Sequence, residues 1–119
     1  MRLLVVADLH YSLPQFDWVT SVASDFDVVI IAGDHLDLSS SVDAGAQIVV
    51  VGKYLARLRQ KTKLIICSGN HDLDSHTSEG EKVARWVRYV PDVVRDGQSI
   101  TIGNVLFSVC AWRDGPAER

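Results

Sequence analysis

Apolar residues in this chain come in short unbroken runs that stop at polar loops. Residues 3–7, residues 27–32 (Asp-Val-Val-Ile-Ile-Ala) and Lys63–Cys67 (Lys-Leu-Ile-Ile-Cys) are too short for helices and rich in valine, isoleucine and leucine. Such runs predict strands buried on both faces. Between them the apolar spacing changes to three and four. Residues 15–24 place Phe16, Val19 and Ala23 on one helical face, and residues 42–60 do the same with Ile48, Val51, Leu55 and Leu58. Arg57, Arg59 and Lys61 fall near the end of the second segment, where cations suit the negative end of a helix dipole. A third helix is predicted over residues 79–89, with Val83, Trp86, Val87 and Val90 toward the core and Thr77 or Ser78 as its cap. After Pro91 the rhythm shortens. Residues 93–95, Ser99–Ile102 and residues 105–110 read as strands, separated by the turn pairs Asp96-Gly97 and Gly103-Asn104.

The order is β-α-β-α-β-α followed by a β-meander, which predicts an α/β fold built on a parallel sheet flanked by helices. A chain of 119 residues is the size of one domain, and we assign residues 1–119 to one. Hydrophobic residues make up 47% of the chain, enough for a core, and no run approaches the roughly 20 apolar residues of a membrane span. The apolar start is cut short by Asp8, too early for a secretory signal, so the expected location is cytoplasmic. Cys67 and Cys110 do not make a disulfide framework, and each ends an apolar run, which predicts two buried free thiols.

Charge sharpens the functional question. Twelve basic residues against 15 acidic ones give −3 with neutral histidines. That excludes a general electrostatic grip on nucleic acid or on a membrane surface. An anionic substrate would need a local positive centre. Ligands on a parallel sheet bind beyond the carboxyl ends of the strands, and three successive strand ends carry unusual polar residues. They are Asp8-Leu9-His10, Gly33-Asp34-His35-Leu36-Asp37 and Gly69-Asn70-His71-Asp72. Asp8 and His10, two apart in an extended loop, can converge on one centre, and an oxygen with an imidazole nitrogen suits Mn, Fe or Zn. Carboxylates brought within about 4 Å repel by roughly 4 kcal/mol at an effective dielectric near 20, so a fold that gathers them calls for a cation.

In these three motifs the chain resembles the calcineurin-like metallophosphoesterase superfamily. The matching order and spacing run from Met1 to about Asp74, and residues 111–116, from Ala111 to Pro116, look loosely like the family's next loop. The resemblance implies a layered α-β-β-α sandwich, and a phosphoesterase that hydrolyses a phosphomonoester or phosphodiester with a metal-activated hydroxide. It implies two divalent metal ions, Mn, Fe or Zn. Asp8 and His10 would bind the first ion, Asp34 would bridge both, and Asn70 would bind the second. His71 would act on the leaving group and Asp37 would orient its ring. Asp72 would support the loop, and His35 would point away from the metals.

The chain also departs from the family. No histidine follows His76, whereas the family completes its site with later histidines, including a Gly-His-x-His segment. The expected sandwich is therefore incomplete, with apolar surface exposed on the uncovered sheet. Three explanations stand: a fragment truncated at its C-terminus, completion by another chain or a self-associated copy, or a reduced domain. The expected partner is a phosphate-ester substrate, nucleic acid entering only as substrate. The alternative function is a catalytically impaired module of the same fold that serves in binding.

Overall fold

The computed structural model describes residues 1–113. The apolar runs form a three-stranded parallel sheet in the order β1-β2-β3, with β1 at Leu3–Val6, β2 at Val28–Ala32 and β3 at Lys63–Cys67. The register pairs Leu3 with Val28, and Val28 with Lys63. Alternate side chains therefore divide between two faces. One face carries Leu4, Val6, Val29, Ile31, Leu64 and Ile66, and it receives helices α1 (Leu13–Val22) and α2 (Ala44–Lys61).

Both helices follow their sequence patterns. Phe16, Val19 and Ala23 are buried, although Ala23 belongs to a 3₁₀ turn, Ala23–Asp25, that ends α1. Val51, Leu55 and Leu58 of α2 are completely buried, and Ile48 packs at the margin. Asp43 caps α2, its carboxylate accepting the Ala46 amide at 3.2 Å, a contact that satisfies one of the helix's free N–H groups. Tyr54 of α2 donates to Asp17 of α1 at 2.6 Å and ties the helices together.

The opposite face is covered by a hairpin, β6 (Ser99–Ile102) and β7 (Val105–Ser108), turning at Gly103-Asn104 with Gly103 at φ +59°. Val28, Ile65 and Val109 form a second small core there, with Ile30, Cys67, Ile100, Ile102 and Phe107 around it. The arrangement is mixed α/β, with helices on one side of a parallel sheet and the beginnings of a further β layer on the other.

Several expectations need correction. Residues 79–89 are not an α-helix. Thr77 caps a tight turn instead, accepting the Glu81 amide on Oγ1, and Gly80 sits at φ +83°. That turn joins β4 (Ser75–His76) to β5 (Lys82–Val83), and only Arg85–Tyr89 coils, as a 3₁₀ turn. A 3₁₀ turn brings residues three apart onto one side, so Trp86, Val87 and Val90 are buried as expected. Residues 93–95 contribute a single parallel bridge, Ile65 to Val94, rather than a strand of a meander. β1 lies at the sheet edge, so Leu3 and Val5 are exposed and only alternate residues are covered. Cys67 is half-buried and Cys110 exposed, so neither is a fully buried thiol. Asp114, Gly115 and Pro116 lie outside the described residues. No helix among the described residues is long and apolar enough to cross a membrane.

Candidate metal centre

Three loops meet at the carboxyl ends of β1, β2 and β3, stitched together by their backbones. Asp8 N donates to Gly33 O at 3.3 Å, His10 N to Asp34 O at 2.9 Å and Tyr11 N to His35 O at 2.8 Å. The first loop thus runs beside the second. The second and third approach through two glycines. A Cβ on Gly33 would stand 3.2 Å from Gly69 Cα, and one on Gly69 would collide with the Asp34 carboxylate. Asp34 Oδ1 in turn accepts the His71 amide at 2.9 Å.

The price is backbone strain. Asp8, His10, Tyr11 and Asp34 have φ between 45° and 58°, a region that costs a side-chain-bearing residue on the order of 1 kcal/mol or more. Three of these four are the residues whose donor atoms converge. Oxygens of Asp8 and Asp34 and a nitrogen of His10 all lie within 4.8 Å of one another.

His10 makes the chemistry of this cluster explicit. Its Nδ1 faces Leu36 O at 3.3 Å. A carbonyl can only accept, so a hydrogen bond there puts the proton on Nδ1. In the neutral ring Nε2 then carries a lone pair, and it lies 3.7 Å from Asp8 Oδ1 and 4.0 Å from Asp34 Oδ2. In that form three acceptors face one another with no donor among themselves. Imidazole nitrogen with two carboxylate oxygens is a donor set for a borderline divalent cation, and the residues fit such an ion.

Asn70 and His71 arrive on the 3₁₀ turn Asn70–Asp72. Asn70 is exposed at its first position. The His71 ring packs edge-on against His10, with centroids 4.7 Å apart, and its Nδ1 is buried without a partner. Asp37 is turned to Ser39 rather than to His71. Its Oδ1 accepts from Ser39 N at 3.0 Å and from Ser39 Oγ at 2.6 Å, and these two bonds hold its carboxyl below the ordinary carboxylate range. Asp37 still lies close enough for its charge to act on His10 and His71.

Residues outside the expected ligand set organise the site, with Asp72 supporting the loop as the resemblance implies. His35 does point away, fully buried, with Nδ1 3.1 Å from Asp72 Oδ2 and its ring edge-on to Trp86. Asp72 also accepts the Leu36 amide at 3.0 Å and the Gly69 amide at 2.9 Å. Burial alone would raise its carboxyl pKa, but the bonds and charge of His35 and the two amides outweigh it and lower it. Asp72 therefore joins the second and third loops as a buried anion. Gln47 of α2, which carried no sequence signal of function, brackets Asp37 by accepting from its N and donating to its O, both at 2.9 Å. His76, in β4, is exposed.

No curated protein matches the chain. A sequence model of the calcineurin-like phosphoesterase family matches residues 1–110, which includes all three strand-end loops. The chain belongs to the calcineurin-like phosphoesterase family.

Proposed function

We propose that this chain is a metal-dependent phosphoesterase that hydrolyses a phosphomonoester or phosphodiester, using two divalent ions drawn from Mn, Fe or Zn. The observation that carries the reading is the meeting of Asp8 and Asp34 carboxylate oxygens and a His10 ring nitrogen within 4.8 Å of one another. Divalent cations there would lower the pKa of a water and neutralise charge on phosphoryl oxygens. Asp8 and His10 would hold the first ion, Asp34 would be shared with a second, and Asn70 would serve that second ion. His71 meets the leaving-group oxygen. Its buried Nδ1 leaves Nε2 as the nitrogen that can reach a substrate. Asp37, turned to Ser39, is the residue that would support the His71 ring from nearby. Substrate charge is met locally, since the chain as a whole is acidic.

The test is hydrolysis of p-nitrophenyl phosphate and bis-p-nitrophenyl phosphate, with each metal and with chelator. Turnover that requires metal is expected. His71→Ala should lower kcat by about 10²- to 10⁴-fold while leaving metal affinity unchanged. Equal loss of both would remove the leaving-group assignment. A second reading, a binding module of this fold, is favoured by one observation. Among the described residues, the gathered carboxylate and imidazole donors are those of a single ion. Tight metal binding with no turnover on either ester would establish it.

A further inference from the structure

The proposed centre needs His10 to present an unprotonated Nε2, and that depends on which ring nitrogen holds the proton. We propose that Gln47, a residue of α2, is a positioning residue that sets this tautomer through one peptide group. The peptide joining Leu36 to Asp37 lies between the two side chains. Its carbonyl faces His10 Nδ1 at 3.3 Å, and its amide, Asp37 N, donates to Gln47 Oε1 at 2.9 Å. Gln47 is 1% exposed. Its Nε2 donates to Asp37 O at 2.9 Å and to Val42 O at 3.0 Å. Every polar atom of this buried side chain is therefore spent on the loop that carries Asp34 and Leu36.

The physical effect runs along the peptide. An acceptor at its N–H polarises the group and strengthens the carbonyl as an acceptor, by roughly 10–30% per bond in a chain of hydrogen bonds. It also fixes the plane of the carbonyl toward His10. Both effects favour the proton on Nδ1. Without them the competing tautomer gains, because a proton on Nε2 can be donated to the Asp8 or Asp34 carboxylate, 3.7 and 4.0 Å away. That tautomer occupies the lone pair a cation requires. Gln47 thus acts on the centre through two hydrogen bonds in series, in the manner of outer partners that orient metal-binding imidazoles.

The inference rests on the proposed centre, but the measurement that decides it needs neither metal nor substrate. Long-range proton–nitrogen NMR of the metal-free, ¹⁵N-labelled 119-residue chain reads the tautomer of each neutral histidine directly. His10 is expected to carry its proton on Nδ1. Gln47→Met, similar in size but unable to accept from Asp37 N, should move His10 toward the Nε2-protonated form and leave exposed His76 unchanged. The same variant should weaken Co²⁺ binding about 10-fold. Gln47→Glu keeps an oxygen for Asp37 N, so it should retain the original tautomer. A wild-type His10 protonated on Nε2 overturns the proposal without any variant. So does a folded Gln47→Met chain with an unchanged tautomer, or a Gln47→Glu chain that shifts as far as Gln47→Met. Absence of ester hydrolysis, by contrast, would sink the proposed activity and leave the tautomer result standing.

Discussion

At the scale of single residues, the centre depends on what is absent as much as on what is present. Gly69 has an extended backbone at φ −117°, so conformational freedom is not why glycine stands there. Space is the reason: an added Cβ would sit 2.6 Å from Asp34 N and collide with its carboxylate. Gly69→Ala should therefore push Asp34 out of line, cost about 1–3 kcal/mol of stability as an overpacked site does, and weaken metal binding. Thermal unfolding and metal titration of the same sample would show both losses. Unchanged metal affinity would mean that Asp34 is not held where the centre needs it. Cys67 offers a residue-scale test of the β layer behind the sheet. Burial, with the charges of Asp96 and Asp72, pushes its thiol up from 9.0 to about 11. The neutral form is the one the fold favours. Its contribution to stability is whole below pH 9.0 and drains away as pH rises from there toward about 11. At pH 8 the native Cys67 thiolate is scarcer than that of an ordinary cysteine near pKa 8.5 by two orders of magnitude or more, roughly. Alkylation followed by mass spectrometry should find Cys67 slow in the native chain and fast in denaturant. Equal rates would show that the hairpin does not cover it.

At the scale of elements, strands and the first two helices were legible because their apolar periods are unambiguous. β2 and β3 match their runs almost residue for residue. The segment from Ser75 to Arg95 was not legible, and its spacing explains why. Val83, Trp86, Val87 and Val90 suit a helical face, yet three-residue steps are shared with a 3₁₀ turn, and Gly80 breaks the segment before any helix can propagate. The site divides in the same way. The gathering of Asp8, His10 and Asp34, with the His71 ring packed on His10, was legible because these residues sit in strand-end motifs. Asp37 was placed by family resemblance on His71, but Ser39, two residues on, offers a nearer pair of donors. Gln47 was passed over, though one clue existed. It stands four residues before Val51 on the stripe that continues through Leu55 and Leu58, and a polar residue on a buried stripe needs partners. The same helix carries an element-scale prediction. Asp43 is its cap, and the loop bracketed by Gln47 begins at that end. Asp43→Ala should cost about 1 kcal/mol and lower Tm by about 4 °C, measurable by calorimetry. A neutral result would mean that solvent satisfies the first turn of α2 as well as the carboxylate does.

At the scale of the whole molecule, the two faces of the sheet are unequally covered. The helical side has a continuous core from Phe16 through Ile31 and Leu55 to Trp86. Among the described residues, the other side buries a cluster of three, Val28, Ile65 and Val109, under one hairpin. The principal extents, 41 × 33 × 20 Å, are those of a slab, since a sheet with one packed layer accounts for the thin dimension at roughly 10 Å per packed sheet. Leu3 and Val5 at the β1 edge remain open, and Leu106 on the hairpin is 65% exposed. A groove of about 430 Å³ lies between the sheet and the hairpin, lined by Ile30, Ile65, Cys67, Leu106 and Phe107. Apolar surface of this kind rarely stays contiguous on a monomer without a covering partner. The 119-residue chain should therefore bind an environment-sensitive dye such as anilinonaphthalene sulfonate while its near-ultraviolet circular dichroism remains that of a packed fold. The second measurement is what gives the first its meaning, because a molten globule also binds the dye but loses that signal. Val5→Thr with Leu106→Thr places strand-favouring, β-branched residues at both positions and adds hydroxyls that water can reach, so dye binding should fall with little change in Tm. If the native chain binds no dye, this face is already covered and the open layer is not a property of the molecule in solution. If dye binding persists in the double variant, the apolar surface lies elsewhere, and the groove beside α2 lined by Ile48, Trp86, Tyr89 and Val90 is the next to test.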